Sequence, residues 1–96
     1  MAGLKGKGKF SRREVSFGNC TYDLEEGAKE ESGSGVVTVL STKVLPPYPE
    51  KRTGYLLELE DGTLLGCELV DDLDSHRKGP GPTRRYKVRC WPKRPE

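Results

Sequence analysis

The chain has 96 residues, is 32% apolar and carries a net charge of +2, so we expect one domain with a small core. It contains no apolar run of about 18 residues and no apolar segment near its N-terminus, which predicts neither a membrane helix nor a secretion signal. We therefore expect an intracellular protein, cytoplasmic or nuclear and not secreted, whose three cysteines are reduced.

The small net charge hides a segregation of charge along the chain. Residues 1–13 carry five bases and no acid, residues 14–76 carry fourteen acids and four bases, and residues 77–96 carry eight bases and one acid. This is the most informative feature of the composition, because basic terminal segments often bind nucleic acid.

The first half of the chain predicts two strands separated by flexible segments. Residues 1–13 alternate glycine and lysine, which predicts a disordered basic arm that either neutralises phosphates or is a solvated tail. Residues 14–24 predict a strand with imperfect alternation, and the polar, glycine-rich residues 25–35 predict a flexible loop. Val36–Leu45 is β-branched and apolar and predicts a second strand, which the stiff segment Pro46–Pro49 ends.

Residues 54–70 predict a β-hairpin, because Asp61 and Gly62 separate two apolar-rich runs. A two-residue loop would mix apolar and polar side chains on each face, whereas a three-residue loop segregates them. We therefore expect the longer loop, with Leu59 opposite Thr63 and Gly62 in the left-handed conformation. The predicted apolar face carries Tyr55, Leu57, Leu59, Thr63, Leu65, Cys67 and Leu69. The other face carries Glu58, Glu60 and Glu68, with Leu56, Leu64 and Val70 left over.

The remaining residues predict a turn, a loop and a final strand. Val70–Asp74 resembles a turn of 3₁₀ helix, Ser75–Thr83 is an irregular basic loop, and Arg84–Trp91 is a strand. Residues 92–96 are expected to be a loose tail. The period of two in the strand places Tyr86, Val88 and Cys90 on one face and Arg85, Lys87, Arg89 and Trp91 on the other.

Four or five short antiparallel strands with glycine- and proline-rich connections predict an all-β small barrel over residues 14–91, with disordered basic termini. The segments Gly35-Val-Val-Thr-Val, Gly54-Tyr-Leu-Leu-Glu-Leu-Glu-Asp-Gly-Thr and Glu68-Leu-Val-Asp-Asp-Leu occur in that order. Their succession resembles SH3-like barrels of the Tudor or KOW kind over about residues 35–91. The resemblance implies an SH3-like fold, and an OB-like barrel is the alternative. A Tudor-type methyl-lysine pocket would need clustered aromatic residues, of which this chain has few.

No sequence motif for catalysis or metal binding stands out. Cys20, Cys67, Cys90 and His76 lack the C-x₂-C spacing of structural zinc sites, so we expect core cysteines and neither a metal nor another cofactor. Ser75 and His76 are adjacent in sequence, which does not make a catalytic dyad. We therefore expect that the protein is not an enzyme.

Nucleic-acid binding is the leading functional hypothesis, with DNA and RNA not distinguished. Exposed aromatic rings can stack on bases while neighbouring cations contact the phosphate backbone. The basic tails and the last strand supply both kinds of residue. The candidate residues are Lys5, Lys7, Lys9, Arg12, Arg13, Arg84, Arg85, Tyr86, Lys87, Arg89, Trp91, Lys93 and Arg94.

A protein-interaction module, either Tudor-like or a subunit of an assembly, is the alternative, with the oligomeric state left open. A basic protein partner would meet the acidic face of the hairpin, and a tyrosine would supply a cation–π contact in a Tudor-like pocket. The candidate residues for this function are Tyr48, Tyr55, Glu58, Glu60 and Glu68.

Overall fold

The computed structural model describes residues 3–40, 44, 46, 48, 50–74 and 83–93. Over these residues the chain forms six strands, and every strand pairing is antiparallel. The strands close into a barrel in the order β1-β2-β3-β6-β5-β4, and β4 pairs with β1. They are β1 (Leu4–Arg12), β2 (Val15–Leu24), β3 (Gly33–Val39), β4 (Tyr55–Glu58), β5 (Leu64–Asp72) and β6 (Arg84–Pro92), with a 3₁₀ helix at Glu26–Lys29.

The predicted all-β small barrel is confirmed, and its shape is compatible with SH3-like and OB-like barrels. The predicted number of strands is wrong, because the described part of the chain holds six rather than four or five. Because the sheet closes on itself, every strand of this short, polar chain contributes one face to a single enclosed core.

The additional strand is β1, so the prediction of a disordered arm over residues 1–13 is wrong for Leu4–Arg12. The alternation of glycine and lysine is the period of two of a strand, with the lysines outward and the glycines inward. Gly8 faces the backbone of β4, where an added Cβ would collide with the carbonyl oxygen of Glu58. Phe10 follows this alternation and is fully buried, which anchors β1 in the barrel.

A β-bulge explains the imperfect alternation in β2. The register between β1 and β2 shifts after Phe10 and leaves Phe17 without a partner across the ladder. Phe17 and Cys20 lie three positions apart, which would put them on opposite faces of a regular strand, yet both are buried. The bulge thus brings Phe17 against Phe10 and Tyr55, whose stacked rings have centroids 5.4 Å apart.

The hairpin of β4 and β5 has the predicted three-residue loop. The backbone amide of Leu59 donates to the carbonyl of Thr63 at 2.8 Å, and Gly62 has a φ of 89°. The six apolar residues predicted to face inward are all buried, which confirms the register. A shift of one residue would have turned all of them toward solvent.

Two predicted connections are structured differently. Residues 25–35, expected to be a flexible loop, contain the 3₁₀ helix, with Ala28 fully buried, and the start of β3. The side chain of Glu25 accepts a hydrogen bond from the amide of Ser34 at 2.7 Å, which ties the two ends of this segment together. β3 ends at Val39 rather than at Leu45, and residues 41–43, 45, 47 and 49 lie outside the described residues.

The predicted 3₁₀ turn at Val70–Asp74 is also wrong, because β5 continues to Asp72 past a bulge at Val70. The loop 75–82 lies outside the described residues. The strand predicted at Arg84–Trp91 is confirmed as β6, which includes Pro92. Lys93, expected in a loose tail, donates its amide to the carbonyl of Leu64 at 3.2 Å.

Candidate nucleic-acid interface

Strand β6 presents the predicted basic face. Arg85, Lys87 and Arg89 are exposed and Trp91 is half-buried on the same outward side, while the alternate residues are buried in the core. Successive outward side chains on a strand are about 7 Å apart. The three cations therefore form a line that leads to the tryptophan.

Tyr86 does not belong to this interface. It was a candidate for stacking on bases, but only 2% of its surface is exposed, and it lies in the core. Burial raises the pKa of its phenol to about 12. The period of two already placed Tyr86 on the inward face, so the pattern itself carried the signal against it.

Two arginines at the start of β6 are held by buried carboxylates. Asp72 accepts hydrogen bonds from the guanidinium of Arg84, with Nε 3.0 Å from Oδ2. Asp74 accepts from the amide of Arg85 at 2.7 Å and from its Nη2 at 3.1 Å. The hydrogen bonds from Arg84 to Asp72 raise the pKa of the guanidinium above its ordinary value. Arg84 therefore serves mainly to satisfy Asp72, whereas Arg85 is half-exposed and still reaches the surface.

Strand β1 contributes a second line of cations. Lys5, Lys7 and Lys9 are all exposed and point outward at every second position. Lys5 lies near one acid, with its Nζ 3.8 Å from Oδ2 of Asp23 across the ladder to β2. Both side chains are largely exposed, so this pair is weak.

The two lines of cations flank one continuous sheet, because β2 and β3 lie between β1 and β6. Rows of register partners cross this sheet: one joins Lys7 to Arg85 through two threonines, and the next joins Lys5 to Lys87. Three interstrand spacings separate the lines by about 14 Å. We name this surface the basic wall; it consists of Lys5, Lys7, Lys9, Asn19, Thr21, Asp23, Ser34, Val36, Thr38, Arg85, Lys87 and Arg89.

The two arginines that follow β1 have different environments. Arg12 donates from Nε to the carbonyl of Thr53 at 2.9 Å, and its guanidinium lies 5.8 Å from the ring centroid of Tyr55. Arg13 occupies the turn into β2 with a φ of 55° and is exposed. Arg12 is thus engaged with the barrel, while Arg13 is available at the surface.

Arg13 lies near Trp91 and Lys93 at the surface, although they come from opposite ends of the chain. These three candidate residues line one surface pocket of about 340 Å³. We name it the Trp91 groove; Gly54, Leu56 and Gly66 also line it. The sequence did not predict this meeting, because it depends on closure of the barrel through β4 and β5. Arg94, the last candidate, lies outside the described residues.

The acids of the hairpin do not gather into one patch. On the outward face of β4 and β5, which we name the hairpin wall, Glu58 is paired with Leu64 at one end. Glu68 lies about 14 Å further along, beyond Gly66. Glu60 lies in the loop, where its amide donates to the hydroxyl of Tyr22 at 3.2 Å. The strand register thus separates the three acids that were expected to form one surface for a basic partner.

The two tyrosines proposed for a Tudor-like pocket are already engaged. The prediction that Tyr55 binds a ligand is wrong, because its side chain is only 1% exposed and its hydroxyl donates to the carbonyl of Lys51 at 2.6 Å. Tyr48 is half-buried and donates to the carbonyl of Val70 at 3.0 Å. The guanidinium of Arg52 lies 5.6 Å from the centroid of the Tyr48 ring, where a partner's cation would have to bind.

The three cysteines lie in the core, as the sequence predicted. Cys20, Cys67 and Cys90 are fully buried, and the sulfurs of Cys67 and Cys90 lie 2.8 Å apart on neighbouring strands. Burial raises the pKa of Cys20 to about 12, which makes its thiolate scarce at neutral pH. His76 lies outside the described residues, and within them no group of three or more metal-ligating side chains is arranged around a common point.

The comparisons with known proteins give no indication of function, which is therefore inferred from the fold and the side chains. No protein-family model matches the chain, and no curated protein or solved structure matches it significantly. Among the described residues, no helix is long and apolar enough to span a membrane.

Proposed function

We propose that the protein binds nucleic acid without catalysing a reaction, and that the basic wall is its binding surface. The observation that carries this proposal is the pair of cation lines on β1 and β6, which flank one sheet and have Asp23 as the one acid on the strands between them. An extended polyanion can contact both lines at once.

The residues between the two lines favour a close approach of the phosphate backbone. They are small, mostly hydroxyl or amide side chains, which can donate hydrogen bonds to phosphate oxygens without blocking access. Asn19, Thr21 and Thr38 are of this kind, and none of them is deeply buried. The contacts are directed at the backbone, so binding carries little sequence readout and does not by itself separate DNA from RNA.

The hairpin wall supports the same assignment from the opposite side. Its outward acids would repel phosphates, and they lie beside the basic wall rather than within it: Glu58 borders Lys9, and Glu68 borders Arg89. Phosphates are repelled most strongly beside Glu58 and Glu68, so the charges favour a polyanion that lies along β2 and β3.

The chain resembles SH3-like barrels of the Tudor kind, but we infer its ligand from the charge pattern and not from a methyl-lysine pocket. A Tudor-type pocket needs open aromatic faces, and Tyr48 is covered by Arg52 while Tyr55 is buried. The proposal therefore does not include capture of a modified lysine.

Fluorescence anisotropy of labelled oligonucleotides at about 50 and about 200 mM salt tests the proposal, because affinity that depends on phosphate contacts falls steeply over this range. The informative variant is Lys7→Glu with Lys87→Glu, which reverses one charge in each line. The matched control is Lys51→Glu with Arg52→Glu, which makes the same change in charge before β4.

We expect salt-sensitive micromolar binding by the natural chain, and at least a tenfold loss of affinity in the variant of the basic wall. The control should lose much less, because its residues lie outside the wall. Absence of binding at the lower salt concentration would refute the function. Equal losses in the two double variants would refute the basic wall as the site.

A further inference from the structure

The Trp91 groove has a shape and charge that the proposed function does not use. Trp91 and Gly66 are direct partners across the ladder between β6 and β5. A Cβ on Gly66 would lie 2.5 Å from Nε1 and 3.0 Å from Cε2 of Trp91, so the five-membered ring of the indole rests on the glycine backbone. The indole thus lies over Gly66 at an outward position of β6, and it is half-buried, so part of its surface remains exposed in the groove.

Two cations line the same groove as this ring. Arg13 and Lys93 are exposed and line the groove, and none of the described residues that line it is acidic. Leu56 extends the apolar floor beside Gly66. An aromatic face with two cations nearby is complementary to a flat ring that is linked to negatively charged groups.

The groove also continues the line of cations on β6. Arg89 precedes Trp91 by two residues on the outward side of β6 and so lies about 7 Å from it, and Lys93 follows just after the strand ends. A strand of nucleic acid that follows β6 along the basic wall would therefore reach the indole. Bases of an intact duplex are paired and stacked within the helix, so only an unpaired base could lie on Trp91.

We propose that the Trp91 groove binds one unpaired nucleotide, with its base stacked on Trp91 and its neighbouring phosphates contacted by Arg13 and Lys93. This inference rests on the proposed function, because β6 is assigned there as part of the phosphate-binding surface. It adds a preference for single strands or unpaired ends, which a purely electrostatic wall would not have.

Trp91 is the one tryptophan in the chain, so its own fluorescence reports on the groove. The probes are an oligomer of about ten thymidine nucleotides, within the range of site sizes of small single-strand-binding barrels, and a blunt duplex. We expect the oligomer to quench the tryptophan strongly and the duplex to leave it nearly unchanged. Quenching by an acidic peptide without phosphates, but not by the oligomer, would overturn the inference in favour of a protein partner.

Two sets of variants separate the groove from the basic wall. Trp91→Leu, which keeps an apolar cover over Gly66, should weaken binding of the oligomer at least fivefold and leave binding of the duplex unchanged, whereas Trp91→Phe should keep most of the affinity. Arg13→Ala with Lys93→Ala, which leaves the core intact, should also weaken binding of the oligomer selectively. By contrast, the double variant Lys7→Glu and Lys87→Glu should weaken binding of both the oligomer and the duplex.

The outcomes distinguish failure of this inference from failure of the proposed function. If neither probe binds the natural chain, both proposals fail. Two results would refute the groove and leave the basic wall intact. In the first, both probes bind in a salt-sensitive way and Trp91→Leu weakens the binding of both equally. In the second, the oligomer binds without quenching the tryptophan.

Discussion

The basic wall and the hairpin wall are built from the same kind of strand but carry opposite charge. In both, most inward positions hold apolar residues or glycine, apart from the ion pair of Asp72 and Arg84, and the outward positions are free to vary. Lysine and arginine line β1 and β6, whereas the hairpin wall carries Glu58 and Glu68 together with Leu56 and Leu64. A charge pattern along the chain thus becomes a pattern around the barrel through strand order, because β4 and β5 are adjacent while β1 and β6 flank β2 and β3.

The largest expected effect tests whether β1 is a true part of the basic wall. Phe10→Ala removes a fully buried ring that stacks on Tyr55, so we expect the free energy of unfolding to fall by about 3–5 kcal/mol. Urea denaturation measures this change. Lys7→Ala, an exposed change on the same strand, should stay within about 0.5 kcal/mol. Unchanged stability in Phe10→Ala would mean that β1 is a loose arm after all.

A smaller effect concerns the ion pair that joins the two walls where β5 ends and β6 begins. Asp72→Ala leaves Arg84 without its main acceptor in a partly buried position, so we expect a loss of about 2 kcal/mol, less than for a fully buried pair. Thermal and urea unfolding of this variant and of Glu58→Ala, an exposed acid on the hairpin wall, give the comparison. Equal stability of the two variants would contradict a structural role for the ion pair.

A change of charge at the border between the walls should alter affinity rather than stability. Glu58→Lys places a cation beside Lys9 and extends the basic wall, so we expect nucleic-acid affinity to rise about threefold at low salt. Glu58→Gln should give a smaller rise, because it removes repulsion without adding a contact. Anisotropy titrations measure both variants, and a fall in affinity would indicate that the hairpin wall is the binding face.

The smallest effect concerns the tether between the hairpin loop and the 3₁₀ helix. The hydrogen bond from Lys29 to Asp61, 2.7 Å from Nζ to Oδ2, holds the pKa of this carboxyl below its ordinary value of 3.8. A lowered folded-state pKa means that the stabilisation is complete above pH 3.8 and is lost as the pH falls through the folded-state pKa. Asp61→Asn should thus lower the melting temperature slightly at neutral pH, and the difference should shrink in strong acid. A difference that grew in acid would have the wrong sign.

Several features of the fold could be predicted because they depend on local patterns. The register of the hairpin followed from the segregation of its two faces, and Gly62 followed from the turn that this register requires. The alternation in β6 likewise separated Arg85 and Lys87 from the core. Each of these conclusions needed only a period of two and the chemistry of one turn.

The prediction failed where a residue's role depends on a distant neighbour. The glycines of β1 indicate a flexible arm in isolation, but Gly8 is required because β4 crosses it closely. Phe17 breaks the alternation of β2 because a bulge directs it toward Tyr55. The candidate residues Arg13, Trp91 and Lys93 could be named from the sequence, but their meeting in one groove could not.

Local sequence patterns were sufficient to predict the all-β class, the hairpin register, the burial of the cysteines and most of the exposed cations. Three further features became visible only in the folded chain: β1 closes the barrel, β1 and β6 flank a shared sheet, and Asp72 and Asp74 bind arginines of β6. The two groups of features differ in the sequence separation of the residues that interact. Strand periodicity and turn chemistry act over a few residues, whereas charge clusters and close backbone contacts arise only when closure of the barrel brings distant strands together.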